Sequence, residues 1–543
     1  MSPKKLVPAG PLFFFFLGAN ELPLRQGFGP GPKRLVRAKR RGRQQHLHLE
    51  ESMKLYLNGH NYKYAAEQML LTLFPGERPE YPDAPPLFGE DALLLRLSVG
   101  PRQVTAHAVL TYGGAVYSRY ARAPAPGPEA GQLEQDRVLQ RVLKNAFYRA
   151  GTDALGREPP WGALTGVRPV KLPTRDLERG LTVREAERRL RELYHVSAPR
   201  RRLALDCAQA SLAAKGSLAP GDVSLYVGIP FCPTRCAYCS FISADAGRSL
   251  HMLEPYLDAL CREVRAAGAA LRRGGRRVRS VYFGGGTPTT LSAPQLDRLM
   301  GELEEAVDLS ACVEYTVEAG RPDTITAEKL AVLRTRGCTR VSVNPQTMED
   351  HVLRAIGRAH TADDIRRAWA LVREAGFPYA NMDLIAGLPL DTVEGFRRSL
   401  DQVVAMAPEN VTVHTLALKK GSRIMAEGGG LPSPGEVSAM LDYAWETLRG
   451  AGYTPYYLYR QKYMSGGFEN VGWCRPGGES LYNICMMEEL HTILSLGAGG
   501  VTKLIDPGAG SLVRLSNPKY PKEYIDHIDA IVAQKEDITW PIS

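Results

Sequence analysis

The rhythm of apolar and polar positions changes several times along the chain. From Met53, "MKLYLNGHNYKYAAEQMLLTLF" reads as a strand, a turn and an amphipathic helix. "DALLLRLSV" and "VTAHAVLTYGGAVYSRYA" alternate apolar with polar residues, and the second carries a Gly-Gly turn, which predicts a hairpin. "RAPAPGPEAG" reads as a loop, and "EQDRVLQRVLKNAFYRAG" has helical spacing. Residues 53–150 are therefore expected to form a small α+β domain. Residues 151–220 read as a helical connector that ends at the turn-rich "GSLAPGD".

From 223 onward, short apolar runs alternate with longer amphipathic stretches. "VSLYVGIPF" precedes a predicted helix over 253–272, "VRSVYF" one over 293–306, and "CVEYTVEA" one over 326–335. "TRVSVN" precedes 361–375, "YANMDLIAGL" precedes 391–405, and "VTVHTLAL" precedes 435–450. Six strand–helix units predict parallel strands covered by helices, in a partial barrel or an open doubly wound sheet over 221–452. In either arrangement the active site lies at the carboxyl ends of the strands. Residues 453–543, from the tyrosine-rich "YTPYYLYRQKY", read as a mixed C-terminal appendage.

Composition narrows the picture. Apolar content of 44% and charged content of 23% are those of a globular protein. The net charge of +10 is concentrated. Residues 1–52 hold ten Lys/Arg against Glu21, Glu50 and Glu51, a net of +7, so the remainder holds only +3. A near-neutral body argues against a nucleic-acid partner. The proline- and glycine-rich head, with "KRLVRAKRRGRQQ", reads as a disordered basic segment. "PLFFFFLG" is too short for a span of roughly 18–20 apolar residues, and no cleavage-like sequence follows it. The expected location is cytoplasmic, with no membrane span.

Nine cysteines are too few for a disulfide scaffold, yet three fall within "FCPTRCAYCSF": Cys232, Cys236 and Cys239. They follow the first strand of the βα series, where Pro230 and Pro233 favour a loop. Thiolates suit zinc or an iron–sulfur cluster. Zinc needs a fourth ligand, for which Cys207, His251 and Cys261 are the candidates. A [4Fe–4S] cluster on three thiolates leaves one iron open for chemistry.

The Cys-x3-Cys-x2-Cys stretch resembles the cluster motif of the radical S-adenosylmethionine (SAM) superfamily. The resemblance implies that SAM chelates the open iron, and that one electron from a reductant cleaves it to a 5′-deoxyadenosyl radical. Further strand ends add to it. "YFGGGTPT" resembles the loop that grips the methionine end of SAM, through Gly285, Gly286 and Thr287; on residue type alone, its glycines would present unblocked N–H groups. Glu318 in "YTVEAG" suits the amino group or ribose of SAM, Arg358 in "IGRAHT" suits a carboxylate, and Asp383 in "MDLIAGLP" suits a ribose hydroxyl. Each also has a plain structural reading as an ion pair, a surface cation or a buried hydrogen bond.

Together, "SLYVGIPFC", "CAYCSF", "YFGGGTPT", "VNPQT", "IGRAHT" and "MDLIAGLP" resemble the oxygen-independent coproporphyrinogen III oxidase family over 222–420. "WGALTGVRPVKL" and the long N-terminal extension are similar to its HemZ-type branch. The resemblance implies a partial (β/α)6 radical SAM barrel with an N-terminal α+β domain and a mixed C-terminal appendage. It implies SAM contacts at Tyr226, Tyr238, Gly285, Gly286, Thr287, Glu318, Gln346, Arg358, Asp383 and Ala417, and it assigns no catalytic side chain. The implied reaction converts two propionates of coproporphyrinogen III to vinyl groups with loss of CO2.

The chain also departs from the family pattern. Gly228 stands where the oxidases have histidine, their Phe-Gln-Gly-Tyr segment is missing, and Tyr482 stands where the haem-chaperone relatives show histidine. The substrate side therefore leaves three readings: a porphyrinogen oxidase, a haem-binding chaperone, and an RNA-modifying radical SAM enzyme. Cys474 and Cys485 read as unligated cysteines, the tyrosines of 453–463 as a packed strand, and Arg168 with Lys171 as candidates to bind a propionate.

Overall fold

The computed structural model describes residues 52–84, 90–239, 244–245, 249–417, 430–461, 467–506 and 510–540. The basic head read over 1–52 lies outside them except for Ser52. The N-terminal unit is a five-stranded sheet: β1 (Ser52–Asn58), β2 (Arg78–Glu80), β3 (Ala92–Val99), β4 (Gln103–Tyr112) and β5 (Ala115–Pro124), in the order β2-β1-β3-β4-β5. Gly113 and Gly114, both at positive φ, turn β4 into β5, a backbone that favours glycine. Leu55, Leu93, Leu95, Ala106 and Leu110 face the helices Lys63–Leu73 and Gln132–Leu155, forming a core separate from that of the barrel.

Six parallel strands follow: β6 (Asp222–Ile229), then, after the short pair β7 (Phe231–Cys232) and β8 (Ala244–Asp245), β9 (Arg277–Gly285), β10 (Glu314–Glu318), β11 (Arg340–Gln346), β12 (Tyr379–Ala386) and β13 (Asn410–Thr415). They lie side by side in sequence order. Right-handed crossovers that all step in one direction put every helix on one face, so the sheet curls as a partial barrel and is not doubly wound. The covering helices are Leu253–Arg273, Ala293–Ala306, Ala327–Thr335, Ala362–Glu374, Val393–Ala405 and Pro434–Gly450. Ser292, Thr326, Thr361, Thr392 and Ser433 cap the last five, each side chain accepting from a backbone N–H of the first turn.

Strand alternation separates two environments. Val227, Phe283, Val317, Val343, Leu384 and Val413 are buried in the core shared with the helices. The intervening residues are polar and meet inside the barrel. Ser224 and Ser280 share a hydrogen bond of 2.6 Å, Asn381 donates to Ser342 at 2.9 Å, and Thr412 donates to Asn381 at 3.2 Å.

The C-terminal segment does not stand apart. β14 (Thr454–Arg460) and β15 (Glu469–Cys474) extend the sheet beyond β13, while β16 (Thr492–Leu496), β17 (Val501–Asp506) and β18 (Ser511–Ser516) extend it beyond β6, giving eleven strands. Gly228 abuts β16: a Cβ there would lie 3.3 Å from the Leu496 carbonyl oxygen and 3.2 Å from that of Ala498, a tight fit. The connector is fastened to the same body. Trp161 donates to Glu469 at 2.6 Å, and Arg200 pairs with that carboxylate at 2.8 Å. Among the described residues no helix is long and apolar enough to cross a membrane.

Candidate active site

The cysteine loop leaves β6 at the carboxyl end of the sheet. Cys232, Cys236 and Cys239 are half-buried, and none of the nine cysteines is in a disulfide. The loop is tied down on two sides. The Ala237 N–H donates to the Ile356 carbonyl at 2.9 Å, and the Thr287 hydroxyl lies 3.5 Å from Cys232 Sγ. Among the described residues no three His, Cys, Asp or Glu side chains are already drawn together as a metal cage, the three loop thiols included. Two cations among the described side chains lie beside Cys236. Arg321 Nη1 is 3.6 Å from Cys236 Sγ, and the Arg358 guanidinium also faces this thiol. A thiolate-only donor set beside cations fits an anionic iron–sulfur centre.

The glycine-rich loop ends β9 against the root of the cysteine loop. Gly286 N–H donates to the Ile229 carbonyl and Thr287 N–H to the Phe231 carbonyl, both at 2.8 Å. The Gly286 N–H is thus committed to the protein, which corrects the expectation that the loop's glycines leave it unblocked. Glycine at 286 is a packing requirement: a Cβ would sit 2.5 Å from the Phe231 oxygen. Gly285 has φ +108°, a conformation that L side chains rarely adopt.

Glu318 ends β10 beneath this loop. Burial pushes its carboxyl up to about 7; the Tyr282 hydroxyl, donating at 2.5 Å, opposes the rise, and the Asp383 charge adds to it. Asp383, on β12, accepts from Asn381 at 2.7 Å and faces His414 Nε2 at 3.7 Å. Burial raises its pKa, but His414 and Asn381 more than compensate, and it stays below the ordinary carboxylate value. Tyr226 and Tyr282 stack with Tyr482, the last two with ring centroids 4.4 Å apart. The helix Leu481–Glu488 thereby packs Tyr482 against these two strand tyrosines.

Gln346 ends β11 at φ +69°, an unusual conformation for a non-glycine residue, and its buried Oε1 accepts no hydrogen bond from any described residue. Arg358 is buried and donates to the carbonyls of Gly320 (3.2 Å) and Asn344 (2.9 Å) and to the Tyr238 hydroxyl (3.3 Å). Ala417 is half-buried just beyond β13.

The expected residues therefore gather at one edge of the sheet in two layers. Tyr238 and Arg358 lie beside the thiols. Tyr226, Glu318 and Asp383 lie deeper in the lumen. Sequence reasoning passed over Tyr282, His414 and Arg321. His414 and Arg321 sit at or just beyond a strand's carboxyl end, the position that marks the functional rim, while Tyr282 lies three residues inside β9.

Other candidates have structural partners. Arg168 and Lys171 both pair with Glu489, Lys171 at 2.9 Å, which gives these cations a structural partner within the fold. Cys474 and Cys485 are buried, and burial pushes the Cys474 thiol up to about 12, as in an inert cysteine.

The radical SAM superfamily model matches residues 226–403. HemZ of Bacillus subtilis, an oxygen-independent coproporphyrinogen-III oxidase-like protein, is 41% identical over 417 residues, covering 75% of this chain and 82% of HemZ. The haem chaperone HemW of Haemophilus influenzae is 28% identical, covering 56% of this chain and 76% of its own length. The oxygen-independent coproporphyrinogen III oxidase of Pseudomonas aeruginosa is 36% identical, covering 42% and 51%. The solved coproporphyrinogen III oxidase HemN of Escherichia coli aligns over 59% of this chain and 72% of its own, at 28% identity and a TM-score of 0.48. The chain belongs to the radical SAM superfamily, among the oxygen-independent coproporphyrinogen-III oxidase-like proteins, and its cofactors are a [4Fe–4S] cluster and S-adenosylmethionine.

Proposed function

We propose that the chain is a radical SAM oxidoreductase of haem biosynthesis that converts propionate side chains of coproporphyrinogen III to vinyl groups, giving protoporphyrinogen IX. The observation that carries this reading is the 41% identity to a coproporphyrinogen-III oxidase-like protein over 82% of its length, with the three thiols at the barrel mouth. When bound, the cluster and SAM supply hydrogen-atom abstraction after uptake of one electron from an external reductant. For each propionate, a hydrogen atom leaves the β-carbon, the carboxylate leaves as CO2, and one electron passes to an acceptor as the vinyl double bond forms.

In this reading Cys232, Cys236 and Cys239 hold the cluster. Tyr226, Tyr238, Gly285, Gly286, Thr287, Glu318, Gln346, Arg358, Asp383 and Ala417 surround SAM. Two observations support the assignment. The orphaned Gln346 Oε1 suits a donor such as an ammonium or a ribose hydroxyl. Asp383 is held ionised in the lumen and keeps acceptor capacity beyond Asn381 and His414. The stacked rings of Tyr226, Tyr282 and Tyr482 line this side of the lumen with aromatic surface.

The HemW relatives support a second reading, haem binding without decarboxylation. Anaerobic turnover with SAM, a reductant and coproporphyrinogen III separates the two. CO2 and vinyl products support the proposal. Stoichiometric haem binding with no CO2 supports the chaperone reading instead.

A further inference from the structure

Arg321 lies three residues beyond β10 and is 2% exposed. Its guanidinium is turned almost entirely toward the cysteine loop. Nη2 donates to the Thr234 hydroxyl at 2.8 Å, and Nη1 donates to the Thr234 carbonyl at 3.3 Å and to Cys236 Sγ at 3.6 Å. Nε faces Asp323 at 3.3 Å, and that carboxylate also lies 3.8 Å from the buried His360. One half-exposed acid thus fixes the orientation of a buried cation that otherwise spends its donors on one thiol and the residue two before it.

We infer that Arg321 is a positioning residue that sets the reduction potential of the cluster through Cys236. The physical reason is one of sign. A [4Fe–4S]2+ core on three thiolates is an anion, and taking up one electron makes it more negative. A buried guanidinium beside one ligand sulfur stabilises the reduced form more than the oxidised form. Hydrogen bonds to the sulfurs and nearby charge are the means by which a protein tunes such centres. The Thr234 contacts hold the loop, so Arg321 also fixes where Cys236 stands. Asp323 opposes the cation electrostatically while orienting it. The two residues should therefore move the potential in opposite directions, which simple loosening of the loop would not do.

This inference rests on the reading of Cys232, Cys236 and Cys239 as cluster ligands. The test uses the full chain, anaerobically reconstituted without SAM, with iron content measured beside an EPR-monitored redox titration. For Arg321→Gln at full iron content, reduction should become about tenfold less favourable, a fall of about 59 mV for one electron. Arg321→Lys should fall between that variant and the wild type, because an ammonium cannot bond Thr234 and Cys236 with one rigid fork. Asp323→Asn should raise the potential. An iron-replete Arg321→Gln protein at the wild-type potential would overturn the inference. If Arg321→Gln loses its iron, Asp323→Asn decides: a rise supports the inference, and no change or a fall overturns it. A wild-type protein that takes up no iron would overturn the ligand reading itself, a distinct result.

Discussion

The hydroxyl of Tyr282 donates to Glu318 at 2.5 Å, joining neighbouring strands at the ends that ring the barrel mouth. The tyrosine holds the carboxyl in place, yet burial keeps its pKa near 7.

That shift has a stability consequence. Folding raises the Glu318 pKa from 4.5 to about 7, so between those values the folded state holds a proton that the unfolded chain has released. The stabilisation is complete below pH 4.5 and is lost as pH rises toward 7, by up to about 3 kcal/mol. Glu318→Gln stays neutral throughout. Denaturant titrations from pH 4.5 to 8 should show the variant gaining on the wild type across that window and then running parallel. Parallel curves from the start would remove Glu318 as the titrating group.

Asp383 and Arg358 test the proposed SAM contacts. Removing a charged hydrogen-bonding partner in a desolvated site costs roughly 1.5–3 kcal/mol, about ten- to a hundredfold in affinity. Asp383→Ala should weaken SAM binding by that factor with iron content unchanged. Arg358→Ala should do the same and also lower the melting temperature, because its guanidinium bonds the Gly320 and Asn344 carbonyls. Arg358→Lys should recover only part of either effect. Wild-type SAM dissociation constants in both alanine variants would move the binding site to other strand ends.

Gly286→Ala separates fold from site. Its Cβ would meet the Phe231 backbone oxygen at 2.5 Å, forcing the glycine-rich loop away from the cysteine loop. The strands beneath keep their core, so far-UV circular dichroism should match the wild type. Iron retention and SAM binding should fall together.

The connector clamp predicts the reverse pattern. Glu469→Gln takes the charge from a carboxylate bonded by Trp161 and paired with Arg200, all buried. Arg200 keeps Asp442 as a second partner, so losing this one charged hydrogen-bonding partner costs roughly 1.5–3 kcal/mol. The midpoint of urea unfolding should drop accordingly, while SAM affinity in the folded fraction holds.

The positions of the six barrel strands and their helices were legible because short apolar runs alternate with helix-length stretches, five of which begin with a Ser or Thr cap. The thiol loop was legible because local spacing alone defines it. Partnerships across the chain were not. Arg168 and Lys171 sit in a motif whose basic residues suggested an anionic ligand, yet their partner Glu489 is some 320 residues away, and nothing local announces it. Likewise, Gly286, read as part of a ligand cradle, donates its N–H to Ile229, a neighbour only after β6 and β9 pair. The C-terminal strands read as an appendage because their pairing with β13 and β6 closes over long stretches of sequence.

The central claim is that three thiols hold a cluster with one iron left for SAM. The most direct measurement is anaerobic reconstitution of the full chain, with iron analysis and EPR of the reduced protein before and after SAM is added. The account predicts about four irons per chain, a spectrum that changes on adding SAM, and loss of both in Cys232→Ala, Cys236→Ala and Cys239→Ala. One tightly held zinc without iron, or a full cluster whose spectrum ignores SAM, would contradict it.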